Sequence, residues 1–323
     1  MSLPLSAEQR QVLGKVGALY DAPLLSETPH SSTTLRFGLI ADPQYADAEP
    51  GVTHPRFYRN SLCKLKKAIS ELNEHHLEFV VTLGDLVDRD WKSFDAVLPV
   101  YEALRHPHAV VIGNHDAQVI TEYLSEQTPV QGLPKSYYQF GQPGYRFIVI
   151  DGNDHSLYCN HGNGDERQQA QATLDSLIAE GAIQAQSWNG GVGSQQLQWL
   201  EQSLHQAQAQ QETVLVFGHY PLVPENKHNL WNCEQLVELL CRYGVRAYFA
   251  GHDHEGGYAR VGGTDFITLK GMVDGADRLP FAMVELKAGE LTVNGYGPEI
   301  SRVLPAAQGE NAVGTPIKAS FTH

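Results

Sequence analysis

The chain has 323 residues, of which 42% are hydrophobic and 19% charged, with a formal net charge of −14 at pH 7. This is ordinary globular composition, long enough for a well-buried core. The acidic balance argues against a basic nucleic-acid surface or an anionic-membrane binder, and no run approaches the roughly 18 apolar residues of a membrane-spanning helix.

Residues 1–34 read as an N-terminal appendage, an amphipathic piece over 8–20 followed by a Pro/Ser/Thr-rich link. No basic segment leads into an apolar core there, so no signal peptide is expected. Residues 35–323 read as a single domain. A strand at 35–41 runs into Asp42-Pro43-Gln44. Leu62, Leu65, Ala68, Ile69 and Leu72 then recur at helical spacing and predict a helix over 57–75. A strand at 79–83 ends at Gly84-Asp85, a helix follows at 94–104, and a strand at 109–112 leads to Gly113-Asn114-His115-Asp116. This alternation predicts a βαβ core.

A hairpin follows, its strands at 137–140 and 146–150 flanking Gly141-Gln142-Pro143-Gly144. Residues 152–193 form a polar, Gly-rich insertion with a helix over 167–180, of a length expected for a lid or specificity loop. Leu197, Leu200 and Leu204 mark a further helix. A strand at 214–217 leads to Gly218-His219, a helix spans 231–243, and a strand at 247–250 leads to Gly251-His252-Asp253-His254. The short alternating runs over 266–296 predict antiparallel strands added to a second sheet.

Five clusters of polar ligands therefore follow five predicted strands, the edge of an α/β sheet where ligands bind. Each cluster alone has a plain explanation: Asp-Pro forms turns, Gly-Asp caps helices, and His-x-His commonly lies on a surface loop. Together they read as one dinuclear metal site bridged by Asp85. The donors are carboxylate, amide and imidazole without thiolate, which favours two divalent ions, Mn²⁺ ahead of Fe²⁺ or Mg²⁺, over structural zinc. Two such ions about 3.5–4 Å apart can clamp a phosphoryl group and supply hydroxide for in-line attack. Cys63, Cys159, Cys233 and Cys241 match no zinc spacing and read as reduced thiols, as expected of a cytoplasmic protein.

D-x-Q, G-D-x-x-D-R, G-N-H-D, G-H and G-H-x-H, in this order over residues 37–254, resemble the calcineurin-like metallophosphoesterase superfamily. The resemblance implies a four-layered α/β/β/α sandwich. It also implies that Asp42, Gln44, Asp85 and His254 hold one metal and Asp85, Asn114, His219 and His252 the other. His115 would act as general acid over the scissile phosphate. Gln44 stands where most of the superfamily has histidine, and its amide oxygen suits Mn²⁺ or Mg²⁺ better than Fe³⁺ or Zn²⁺.

The D-x-Q start, with Asn189-Gly190-Gly191, Trp231-Asn232 and the run His252–Tyr258, narrows the similarity to the Mn²⁺-dependent ADP-ribose/CDP-alcohol diphosphatases. That resemblance implies hydrolysis of the pyrophosphate of ADP-ribose, CDP-choline or CDP-glycerol to a nucleoside monophosphate. A cyclic-nucleotide phosphodiesterase on the same core is the alternative. The expected partner is a small nucleotide-diphosphate substrate, with neither nucleic acid nor membrane, and the oligomeric state is left open. Trp188 and Asn189 are candidates to bind substrate, Trp188 by stacking on the base unless it anchors the following helix, and Arg56 and Arg59 are candidates to reach a distal phosphate. Asp88 is expected to support a ligand histidine or cap a helix, and most histidines outside the motifs to be solvated.

Overall fold

The computed structural model describes residues 14–18, 21–23, 25, 34–52, 55–127, 136–158 and 164–306. Three apolar strands, β1 (Thr34–Ile40), β2 (Phe79–Thr82) and β3 (His108–Val110), run parallel, with Phe37 opposite Phe79 and Val81 opposite Ala109. The crossovers are α1 (Tyr58–Leu72) and α2 (Lys92–Tyr101). Leu65, Ala68, Ile69 and Leu72 lie at i, i+3, i+4 and i+7 of α1 and all are buried. Each of the larger side chains stabilises this packing by about 1.5–3 kcal/mol.

After β3 the chain enters α3 (Asn114–Gln127), a helix that the sequence reading did not anticipate. Val119, Ile120 and Thr121 are consecutive β-branched residues with low helix propensity, so the local pattern is weak. Packing decides instead: Ala117, Val119 and Ile120 are buried against the same cluster as α1 and α2.

The hairpin is formed by β4 (Tyr138–Gln142) and β5 (Tyr145–Val149), closed by Pro143-Gly144. In the insertion, the short strands β6 (His155–Ser156) and β7 (Gly190–Gly191) pair on either side of α4 (Gly164–Ala179). Then come α5 (Ser194–Ala209), β8 (Thr213–Phe217), α6 (Cys233–Arg242) and β9 (Ala247–Ala250). β10 (Gly257–Val261) and β11 (Thr264–Thr268) complete a six-stranded sheet of order β10-β11-β9-β8-β5-β4.

The tail departs from expectation. β11 lies parallel to β9. β12 (Phe281–Lys287), β13 (Glu290–Tyr296) and β14 (Arg302–Leu304) join the first sheet, giving the order β14-β13-β12-β1-β2-β3. β12 pairs antiparallel with β1, Val284 opposite Phe37. Alternation marks these segments as strands but carries no information about which sheet edge they meet.

The two sheets pack face to face through Leu35, Phe37 and Leu39 on one side and Phe147, Phe217 and Phe249 on the other. Phe37 stacks on Phe79 with centroids 5.0 Å apart and meets Phe217 and Phe249 edge-on at 5.8 and 5.7 Å. Helices α1–α3 cover the outside of the first sheet, and α5 and α6 that of the second. These are the four layers α/β/β/α. Of the appendage, Val16 is buried among the α1–α3 residues and Lys15 pairs with Glu102 at 2.9 Å. Residues 14–18 are helical, and 8–13 and 19–20 of the expected piece lie outside the described residues.

Candidate metal centre

Asp42, Asp85 and Asn114 follow β1, β2 and β3 of the first sheet. His219, His252 and His254 follow β8 and β9 of the second. All the motif residues thus stand at carboxyl ends of parallel strands, on both sides of the seam between the sheets. Asp42, Gln44, Asp85 and His252 have φ of 49°, 46°, 51° and 63°. Left-handed backbone is uncommon for non-glycine residues, and its clustering at one place marks a functional turn set. Two glycines make the approach possible. Gly84 has φ 93°, and a Cβ on Gly251 would stand 2.6 Å from Asp42 Oδ2. The turns are laced together, Gln44 N donating to Asp85 O at 2.6 Å and Gly251 N to His219 O at 2.9 Å.

One nitrogen of each histidine is fixed by a partner, which orients the other. His219 Nδ1 donates to the Leu83 carbonyl at 2.8 Å, turning Nε2 toward Asn114 Oδ1 (3.0 Å) and Asp85 Oδ2 (3.5 Å). Asp274 Oδ1 lies 3.1 Å from His254 Nδ1, and His254 Nε2 faces Asp42 Oδ1 at 3.7 Å. Asn189 donates its amide to the carbonyls of Gln184 and Lys227, so its oxygen accepts from His252 Nε2 at 2.9 Å and leaves Nδ1 free. Asp85, His219 and His252 hold ligand atoms within 4.8 Å of one another, all buried.

Gln44 supplies the sharpest test of whether these residues fit a metal. Its Nε2 donates to Asp88 Oδ2 at 3.2 Å, while its Oε1 is buried with no hydrogen-bond partner. An orphaned buried acceptor costs about 1–3 kcal/mol and needs a reason. A cation beside it, among Asp42 and Asp85, supplies one. Hard oxygen and imidazole donors without thiolate fit divalent ions of the Mn²⁺ or Mg²⁺ type.

The charges agree. Burial pushes the Asp42 carboxyl up to about 6 against the pull of His254 and His219. At Asp85 burial opposes ionisation, but His219 and His115 outweigh it and hold the carboxyl well below the usual range. Burial disfavours a charged His219, yet Asp85 carries it up to about 9, and burial together with the His219 charge keeps His252 well below its ordinary value. Two carboxylates compressed in a dry pocket draw on buried imidazoles for balance, and a divalent ion is the better counter-charge.

His115 stands apart from this set. Its side chain is 23% exposed and its Nδ1 lies 3.1 Å from Asp88 Oδ1, leaving Nε2 facing away from that carboxylate. Burial opposes its charge, but Asp85 and Asp88 raise its pKa. Asp88 therefore supports His115 and Gln44 at once, and no ligand histidine. Asp116 braces the turns, accepting from the backbone N–H groups of Leu86, Val87 and Gly113.

The substrate candidates divide. Arg56 is half-buried, its side chain makes no hydrogen bond or ion pair among the described residues, and its charge reaches His115, His228 and Asp274. Arg59 points to solvent, held by Asp47 and Glu49 on the exposed side of α1, so it is not brought to the site. Asn189 is fully buried and its amide is spent on His252 and two carbonyls, so it orients a histidine rather than facing open space. Trp188, next to it, is 37% exposed.

Sequence reasoning overlooked His228, whose ring stands 5.3 Å from that of His252, and Asp274 behind His254. Neither lies in a motif, and only the folded loops bring them in. His108, expected to be solvated, stacks on Tyr101 and bonds Thr82 Oγ1 at 2.9 Å. His161 lies outside the described residues.

With this arrangement in view, the chain belongs to the calcineurin-like phosphoesterase family, whose model matches residues 35–256. Among named relatives it is similar to the manganese-dependent ADP-ribose/CDP-alcohol diphosphatase of Arabidopsis thaliana, 32% identical over 69% of this chain and 80% of the relative. The protein of that name from Homo sapiens is 27% identical over 85% of this chain and 93% of the relative. Among solved structures, a dimetal phosphatase from Danio rerio superposes with a TM-score of 0.75 at 27% identity, covering 85% of this chain and 99% of that one.

Proposed function

We propose that the protein is a manganese-dependent hydrolase of nucleoside diphosphates linked to an alcohol or sugar, of the ADP-ribose and CDP-alcohol type. The observation that carries this reading is the orphaned Gln44 oxygen within a thiolate-free donor set, in a chain whose relatives bear that name. Asp42, Gln44, Asp85 and His254 would hold one ion, and Asp85, Asn114, His219 and His252 the other. When bound, such ions neutralise phosphate charge and lower the pKa of water.

The remaining work falls to side chains. His115 donates a proton to the oxygen that leaves as the P–O–P bond breaks, and Asp88 steadies the imidazolium beforehand. Water supplies the new oxygen on the attacked phosphorus, so the products are a nucleoside monophosphate and a phosphorylated sugar or alcohol. Arg56, whose charge reaches His115 and whose side chain has no hydrogen bond or ion pair among the described residues, holds substrate phosphate charge, and Trp188 offers a face for the base.

No helix among the described residues is long and apolar enough to cross a membrane. Cys63, Cys233 and Cys241 are free thiols, which supports a reducing, cytoplasmic setting. Residues 35–323 act as one catalytic unit in this reading, with 152–193 shaping the approach to the site.

Product analysis tests the proposal. The metal-stripped protein is given Mn²⁺ with ADP-ribose, CDP-choline, CDP-glycerol, 3′,5′-cyclic AMP or a chromogenic phosphodiester. AMP and CMP are expected from the diphosphates, with little opening of cyclic AMP. Preferential turnover of cyclic AMP would replace the substrate assignment and keep the metal centre.

A further inference from the structure

One imidazole at the site has no task in this mechanism. His228 sits on the loop between β8 and α6, and that loop is fastened to the metal turns on two sides. Asn226 Nδ2 donates to Asp253 Oδ2 at 2.8 Å, and the Lys227 carbonyl accepts from Asn189 at 2.7 Å. Within the loop, His228 N donates to Asn226 Oδ1 at 2.6 Å, and Asn229 Nδ2 donates to the carbonyls of Leu222 and Pro224 at 3.0 Å each. The ring is thereby placed edge-on against His252, at 78° and 5.3 Å.

Asn226 and the Asn229 amide nitrogen are spent on holding this position, yet the ring itself is left unserved. His228 Nδ1 is buried without a hydrogen-bond partner, and no bond to Nε2 is formed among the described residues. A ring anchored this carefully, with unused hydrogen-bonding capacity beside the ligand histidines, is built to meet something that arrives. Arg56 is the nearby clue to its charge. Its side chain too makes no hydrogen bond or ion pair among the described residues, and its charge acts on His115, His228 and the Asp274 carboxylate. A cation and an imidazole that both act on this site, neither side chain hydrogen-bonded among the described residues, suit an anion with several oxygens.

We propose that His228 hydrogen-bonds the phosphate that is not attacked, opposite Arg56, and so makes the site selective for diphosphates over single phosphodiesters. This rests on the diphosphatase reading above. His228 contacts the substrate on one side and packs on His252 on the other. A purely structural ring would serve every substrate alike, whereas a phosphate contact serves only those with a second phosphate.

The test compares ADP-ribose with bis(4-nitrophenyl) phosphate, which has one phosphorus, using the full-length Mn²⁺-loaded protein. His228→Phe keeps a ring against His252 and removes both nitrogens. His228→Asn keeps a donor and removes the ring. The phenylalanine variant is expected to lose at least tenfold more kcat/KM on ADP-ribose than on the diester, mainly through KM, and the asparagine variant to recover part of that difference. Should the phenylalanine variant fail to fold, His228→Ala carries the same comparison. Equal losses on both substrates, or no loss on either, would overturn the proposal. Wild-type protein that cleaves the diester and none of the diphosphates would instead overturn the diphosphatase reading, and this inference with it.

Discussion

At the scale of single residues, Asp88 carries more than its place in the sequence suggests. One of its oxygens meets His115 and the other meets Gln44, so the proposed proton donor and a metal-ligand candidate lean on one carboxylate. His115→Ala should lower kcat by about 10²–10⁴-fold, the usual worth of a positioned acid, with bound Mn²⁺ retained by metal analysis. Loss of both ions would contradict its placement outside the donor set. Asp88→Asn removes one of the charges that raise the His115 pKa. A general acid works only below its own pKa, so the alkaline limb of the kcat/KM profile should move to lower pH. An unmoved limb would show that another group sets it.

At the scale of elements, strand ends decide the geometry and small residues permit it. Gly251 lets Asp42 approach the β9 turn, and Gly251→Ala sets a methyl 2.6 Å from its Oδ2. Overpacking of this kind costs about 1–3 kcal/mol, so the variant should fold with a depressed Tm and bind Mn²⁺ far more weakly. Unchanged metal affinity would mean that the turn gives way freely. The strands up to β9, apart from the short pair β6 and β7 in the insertion, and the residues that follow them were readable from the chain, because apolar runs ending in Gly or Asp-Pro have a local physical signature. What could not be read is non-local. The start of α3 at Asn114 is decided by packing against α1 and α2, and the pairing of β12 with β1 joins distant segments. His228 and Asp274 enter the site only through loops folded back upon it. Arg59 shows the converse, a plausible phosphate ligand claimed by Asp47 and Glu49 at the surface.

At the scale of the whole molecule, the centre carries a pH-dependent share of the stability until it is filled. Burial raises Asp42 to about 6 and Asp116 to about 7, and Asp85 carries His219 up to about 9. Folded values above the unfolded ones mean that protons favour the native state, so this contribution is lost as pH rises through about 6, 7 and then 9. EDTA-treated protein should therefore lose Tm between pH 6 and 9. Mn²⁺ at a hundred times its Kd should restore about 2.7 kcal/mol, and the gap between loaded and stripped protein should widen with pH in calorimetry. A gap that narrows would refute the assignment of these groups. The seam location has a mechanical sense as well. Asp42, Asp85 and Asn114 hang from one sheet and His219, His252 and His254 from the other, so an ion held between them would act as a rivet through two plates otherwise joined by greasy contact. Catalytic competence and the alignment of the two halves are then one variable, and any force that slides one sheet along the other is felt first as a loosened grip on metal.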